Sequence, residues 1–183
     1  INAVSANGLL LHCTSRWMNT ALFKSNLPVS IDLLLTMPFI ADAKVVKTPF
    51  RKTIMDDKLD FDIKYDNDIP YDRPVTMING YSLHNQGYNG RNILIAFFDG
   101  GFDNVEEISS LEHLRNRKGI KVTYDFVMKN NLVYNSSTHG TAVLSVLAGY
   151  LPGIIEGTAK GADYLLLKTE DVASEFPCEE DFW

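Results

Sequence analysis

The distribution of apolar and polar positions divides the chain into three stretches. Residues 1 to 48 are rich in apolar side chains and sparsely charged. Alternation from Trp17 to Phe23 predicts a strand. Ser30 to Met37 reads as a short helix, capped by Ser30 and stopped before Pro38. Ala43 to Lys47 reads as a second short strand. A strand–helix–strand unit of this size has too small a core to be comfortable alone. Residues 49 to 74 change character. Asp56, Asp57, Asp60, Asp62, Asp66, Asp68 and Asp72 crowd together, with Pro49, Pro70 and Pro74 as punctuation. This is the pattern of an acidic connector. A carboxylate run can suggest calcium, but the central glycine and closing glutamate of an EF-hand loop are missing, so the stretch reads as a solvated linker.

From residue 75 to 183 helical and extended patterns alternate. Met77 to Gln86 reads as a helix ending at Gly87. Asn92 to Phe98 is a continuous apolar run, as expected of a strand buried on both faces. Val105 to Arg117 is amphipathic and helical, and Ile120 to Phe126 is extended. His139 to Tyr150 is an apolar helix ended near Gly149 and Pro152. Tyr164 to Lys168 is another buried strand. Strands alternating with helices predict an α/β fold, a parallel sheet flanked by helices, preceded by the small α/β unit of residues 1 to 48.

Composition changes this picture little. With 45% hydrophobic and 22% charged residues the chain is ordinary globular material. A net charge of −6 without a basic cluster argues against a nucleic-acid partner. No apolar run reaches the roughly 18 residues that would span a bilayer, so no membrane partner is expected. Cys13 and Cys178 have no zinc-finger spacing and read as two partly buried thiols, with a long-range disulfide as the alternative. The chain opens on Ile1 without a signal-peptide pattern, so Ile1 reads as a processed boundary and the sequence itself carries no address.

The candidate chemistry lies in the third stretch. Asp99 follows a buried strand and precedes Gly100 and Gly101, and in open α/β sheets functional groups gather at the carboxyl ends of strands. Alone, a strand-ending Asp-Gly is usually only a turn. His139 stands in Ser136-Ser137-Thr138-His139-Gly140-Thr141, at the start of the apolar helix. There the positive end of the helix dipole favours the neutral imidazole that a general base needs. Alone, it too would more often be structural. Together, one at a strand end and one at a helix start on the same sheet edge, they allow a carboxylate to hold an imidazole in one tautomer. The order Asp then His is that of subtilisin, with serine last.

These residues carry a family resemblance. Asn92 to Asp103, NILIAFFDGGFD, resembles the strand and Asp-x-Gly motif of the subtilisin-like serine proteases. His139 to Gly149 resembles their His-Gly-Thr helix. Gly157 to Asp163, followed by Tyr164 to Lys168, resembles the turn and buried strand after it. The match is especially close to secreted members from Bacteroidetes, which share the Gly-Phe after the aspartate motif, a Tyr-Asp-Phe strand like Tyr124 to Phe126, and a Lys-Thr-Glu-Asp-Val run like Lys168 to Val172. The resemblance covers residues 75 to 183 well and extends more weakly to residues 1 to 48, which are similar to the end of a pro-region.

The resemblance implies a secreted or cell-surface serine endopeptidase acting on polypeptide substrates, with Asp99 and His139 catalytic. It implies no required cofactor; structural calcium is common in the family, and no ligands for it can be named here. The sequence departs from the family in one respect. The nucleophile's Gly-Thr-Ser motif does not occur among residues 140 to 183, so the serine and the oxyanion-hole asparagine are expected outside this sequence. The remainder of the catalytic domain is then a partner, and this chain by itself is expected to be inactive. Ser82, in Gly80-Tyr81-Ser82-Leu83-His84, lacks the closing glycine and preceding strand of a nucleophile elbow and reads as an ordinary helix residue. Two other readings stand beside the protease: a truncated subtilisin-like module that binds without cutting, and an unrelated doubly wound domain with a small ligand at its strand ends. The last lacks both the dinucleotide-binding and P-loop glycine patterns.

Overall fold

The computed structural model describes residues 2–46 and 72–172, which fall in two separate units. The first begins with a single helical turn, α1 (Asn2–Ser5), and continues into a hairpin of β1 (Leu10–Ser15) and β2 (Thr20–Lys24). A short helix, α2 (Ile31–Leu35), follows, and the Ser30 hydroxyl accepts the Leu33 N–H as the sequence predicts. Val4, Leu9 and Leu34 form a small core, with Phe23, Ile31 and Ile40 against it. The predicted strand from Trp17 starts three residues late. Asn19 takes a positive φ of 53°, which closes the hairpin turn and leaves Trp17 fully exposed. The apolar run at Leu9–Leu11 opens the partner strand β1. No strand forms over residues 43–46. Lys47, the aspartates from Asp56 to Asp68, and Cys178 lie outside the described residues.

The second unit opens with two one-turn helices, α3 (Arg73–Thr76) and α4 (Tyr81–His84). Asp72 precedes α3 and Pro74 sits in its first turn, where the missing N–H costs nothing. The continuous helix predicted from Met77 is interrupted because Asn79 is left-handed (φ 54°). Then follow β3 (Leu94–Asp99), α5 (Glu112–Asn116) after one turn of 3₁₀ helix at Ser109–Leu111, β4 (Ile120–Asp125), α6 (His139–Ala148), a two-residue ribbon β5 (Tyr150–Leu151) and β6 (Ile155–Glu156), and β7 (Asp163–Lys168). The helix predicted over Val105–Arg117 is shorter than its amphipathic pattern. Asn104 is left-handed (φ 67°), Ile108 is extended, and helical geometry begins only at Ser109.

The three longer strands form one parallel sheet in the order β3–β7–β4. β7, last in sequence, is inserted between the other two. The topology therefore brings three strand ends to one edge, and Asp99, Lys168 and Asp125 occupy one row across it. One face of the sheet is packed. Phe102, Leu111, Leu114, Leu144, Tyr164 and Leu166 are completely buried there, with Ile95 and Phe97 against them. The opposite face is open: Leu94 is 57%, Phe98 47% and Val122 51% exposed. The expectation of a β3 buried on both faces is thus corrected. Its inner side chains are covered by the core beneath α6, and its outer ones are not.

The two faces should answer differently to truncation. Leu166→Ala removes completely buried methyl groups and is expected to cost about 2–5 kcal/mol in urea unfolding. Phe98→Ala, on the open face, is expected to cost only about 1 kcal/mol. Equal losses would contradict the one-sided packing.

Candidate active site

Asp99 closes β3 and is buried. Its Oδ1 accepts the Gly100 N–H at 2.7 Å. The loop after it is bound to the segment leading into α6 by five hydrogen bonds. The Phe102 N–H donates to the Val133 carbonyl (2.8 Å) and the Asp103 N–H to the Ser137 carbonyl (3.0 Å). The Ser136 hydroxyl donates to the Gly100 carbonyl (2.9 Å), while the Asp103 carboxylate accepts the Ser136 N–H (2.6 Å). The Thr141 hydroxyl donates to the Asp103 carbonyl (2.6 Å). These bonds fix the first turn of α6 above the end of β3. Ser137 accepts the His139 N–H at 3.1 Å, satisfying a helix-start donor that Thr138 leaves alone.

The result is a carboxylate–imidazole pair. His139 Nδ1 lies 2.8 Å from Asp99 Oδ2 and 3.0 Å from Oδ1. The Asp99 side chain is 7% exposed and that of His139 34%, so the imidazole is held at its inner end and reachable at its outer one. A carboxylate can only accept from a neutral imidazole. Nδ1 therefore carries a proton, and in the neutral ring the lone pair lies on Nε2. No hydroxyl or thiol among the described residues hydrogen-bonds to the His139 ring.

Gly140 makes this approach feasible. A Cβ there would collide first with the Gly101 carbonyl oxygen and come within 2.8 Å of Phe102 Cε1 and 2.9 Å of Asp99 Cγ. The loop at Gly101, the carboxylate or the helix would have to move.

The neighbouring strand ends continue the polar row. Lys168 Nζ lies 3.1 Å from Asp125 Oδ2, both side chains nearly buried, and the other Asp125 oxygen accepts the Met128 N–H at 2.8 Å. The Thr169 N–H donates to the Asp99 carbonyl at 3.0 Å, tying β7 to the strand that carries the pair. The sequence reading named Asp99 and His139 and missed Lys168, Asp125, Asp103 and Ser136 as their supports. One signal was present: Lys168 closes an extended apolar run as Asp99 does.

Ser82 takes no part. Its hydroxyl donates to the Asn79 carbonyl at 3.3 Å, within its own turn. Among the described residues no group of three or more His, Cys, Asp or Glu could hold a metal ion, and no helix is long and apolar enough to cross a membrane. No family model matches the chain, and no curated protein does.

Two outcomes follow. In Gly140→Ala, the ¹⁵N shifts of the His139 ring should move toward those of Asp99→Ala, in which nothing holds the proton on Nδ1. An unchanged pattern would show that Gly140 does not set the approach. Lys168→Met leaves Asp125 buried without its cation and should lower stability by about 3–5 kcal/mol in denaturant titration near neutral pH. A loss below about 1 kcal/mol, the range of exposed pairs, would mean that the pair is solvated.

Proposed function

We propose that Asp99 and His139 are two members of the catalytic triad of a subtilisin-like serine endopeptidase, with the nucleophilic serine outside this sequence. One observation carries the reading: a buried carboxylate holds Nδ1 of a partly exposed histidine through both oxygens, at 2.8 and 3.0 Å, leaving Nε2 as a base. The placement at a strand end and a helix start, in the order Asp then His, supports it further. In this reading the small unit of residues 1 to 48 is a pro-region, and the protein works at or beyond the cell surface.

The chemistry assigns each group one task. His139 Nε2 takes the proton of the serine hydroxyl as its oxygen bonds to the peptide carbonyl carbon. The imidazolium then gives that proton to the amine as the C–N bond breaks, leaving an acyl-enzyme. Water, deprotonated by the same nitrogen, then bonds to the acyl carbon; as the ester C–O bond breaks, the imidazolium returns the proton to the serine oxygen and the acid is released. Asp99 holds the ring in orientation and stabilises the imidazolium without itself becoming protonated. A second reading, a subtilisin-like module that binds and does not cut, is favoured by the lack of any hydroxyl or thiol bonded to the His139 ring among the described residues.

The test is paired. The encoding DNA is read beyond Trp183, and the 183-residue chain is assayed on a denatured protein beside any longer product, with a serine-directed covalent inhibitor as control. The short chain should be inert, because loss of a triad nucleophile costs on the order of 10⁶ in turnover. A longer product carrying Gly-Thr-Ser should cleave and be inhibited. Inhibitor-sensitive cleavage by the short chain would place the nucleophile within it. A stop codon at 184, or an inert long product with its serine intact, would favour the binding module.

A further inference from the structure

At the opposite end of the same sheet, where the strands begin, an open cleft of about 530 Å³ is lined by Arg91, Arg117, Lys160, His113, Tyr150 and Asp163, among others. Three cations face one carboxylate in a chain whose net charge is −6. Asp163 is already bound twice, by Arg117 Nη1 at 2.7 Å and by Lys121 Nζ at 3.2 Å. Lys160 bonds Glu156 at 2.6 Å and lies 4.2 Å over the Tyr150 ring. With these outer partners counted, four cations stand against two carboxylates, an excess that matches a dianion. Arg91 is the cation left without a carboxylate: no ion pair to its guanidinium exists among the described residues.

His113 and Tyr150 add an aromatic wall, their ring centroids 5.8 Å apart and edge-on. Burial pushes the His113 imidazole below its ordinary range. Its bond to the Lys160 carbonyl opposes that shift, and the charge of Arg117 adds to it. At neutral pH the wall is therefore uncharged while the rim is cationic. The volume exceeds what inorganic phosphate fills and suits a ring with an anionic group attached.

We propose that this cleft binds a small organic phosphate, a phosphomonoester on a planar ring, with the phosphoryl group on Arg91 and the other cations and the ring against Tyr150 and His113. Guanidinium forks match phosphate oxygens in geometry as well as charge. The site is independent of the Asp99–His139 pair, which sits at the other end of the strands.

The probe is phenyl phosphate, titrated into the full chain while the ring resonances of His113 and Tyr150 are followed by NMR. Saturable shifts with Kd at or below ~1 mM are expected. Benzoate, with one charge, and inorganic phosphate, without a ring, should each bind at least about fivefold more weakly. Arg91→Ala, at an exposed turn, should weaken phenyl phosphate about tenfold with the unliganded spectrum otherwise preserved. Asp99→Ala should leave the affinity unchanged, so failure of this proposal and failure of the protease reading are separable. No saturable shift by ~10 mM, an affinity indifferent to Arg91, or benzoate binding as tightly as phenyl phosphate would each overturn it.

Discussion

Two carboxylates and one ammonium are buried side by side where the parallel sheet ends, and the site depends on how each is satisfied. Asp99, Lys168 and Asp125 stand in one row on adjacent strands. Neighbouring strands are about 4.8 Å apart, so the two aspartate backbones are only about 10 Å from one another. Buried carboxylates need hydrogen-bonding or ionic partners of their own. The structure gives each a separate set of partners. Asp125 takes the Lys168 ammonium and the Met128 N–H. Asp99 takes the Gly100 N–H and the imidazole. Because Lys168 is committed to Asp125, Asp99 is left to His139. The pair at the candidate active site is thus one end of a charge arrangement that extends over the whole sheet edge.

Backbone geometry makes this arrangement reachable. A helix N-terminus normally stands off a strand end by the width of its side chains. Here Gly140 removes that spacer where α6 passes Asp99, and the bonds from Asp103 and Ser136 hold the two segments in register. The core beneath, with Leu144 of α6 completely buried in the same cluster as Tyr164 and Leu166 of β7, anchors the rest of the helix. Apolar packing therefore sets where α6 lies, and the polar loop sets its height. The first contributes most of the stability and the second the sub-ångström placement on which a hydrogen bond depends.

Much of this was legible in the chain. Period and apolar run length found β3, β4, α6 and β7 to within a residue or two at each end, and the Ser30 cap was readable from its residue type. Asp99 and His139 stood out because an ionisable side chain at the end of an apolar run or the start of an apolar helix has a predictable position. What failed, failed for local reasons. The left-handed residues Asn19, Asn79 and Asn104 break regular structure without disturbing the apolar pattern around them, so the strand from Trp17 and the helices from Met77 and Val105 were drawn too long. The open face of β3 was invisible for a different reason. A continuous apolar run reports affinity for a covered environment, and says nothing of whether both sides are covered.

Charge was the least legible quantity, and topology explains why. A net charge of −6 reads as an acidic protein. Arg91, Arg117 and Lys160 are far apart in sequence, and only Arg117 has basic neighbours, Arg115 and Lys118. Each, however, belongs to a segment that feeds a strand: Arg91 stands before β3, Arg117 at the end of α5 before β4, and Lys160 before β7. In a parallel sheet every such entry segment arrives at the same edge, so three distant cations become neighbours. The same rule collects Asp99, Asp125 and Lys168 at the exit edge. Parallel topology thus sorts a dispersed set of charges into two chemically distinct ends, one built around a buried carboxylate and an imidazole, the other around exposed cations, and neither end is visible until strand direction is known.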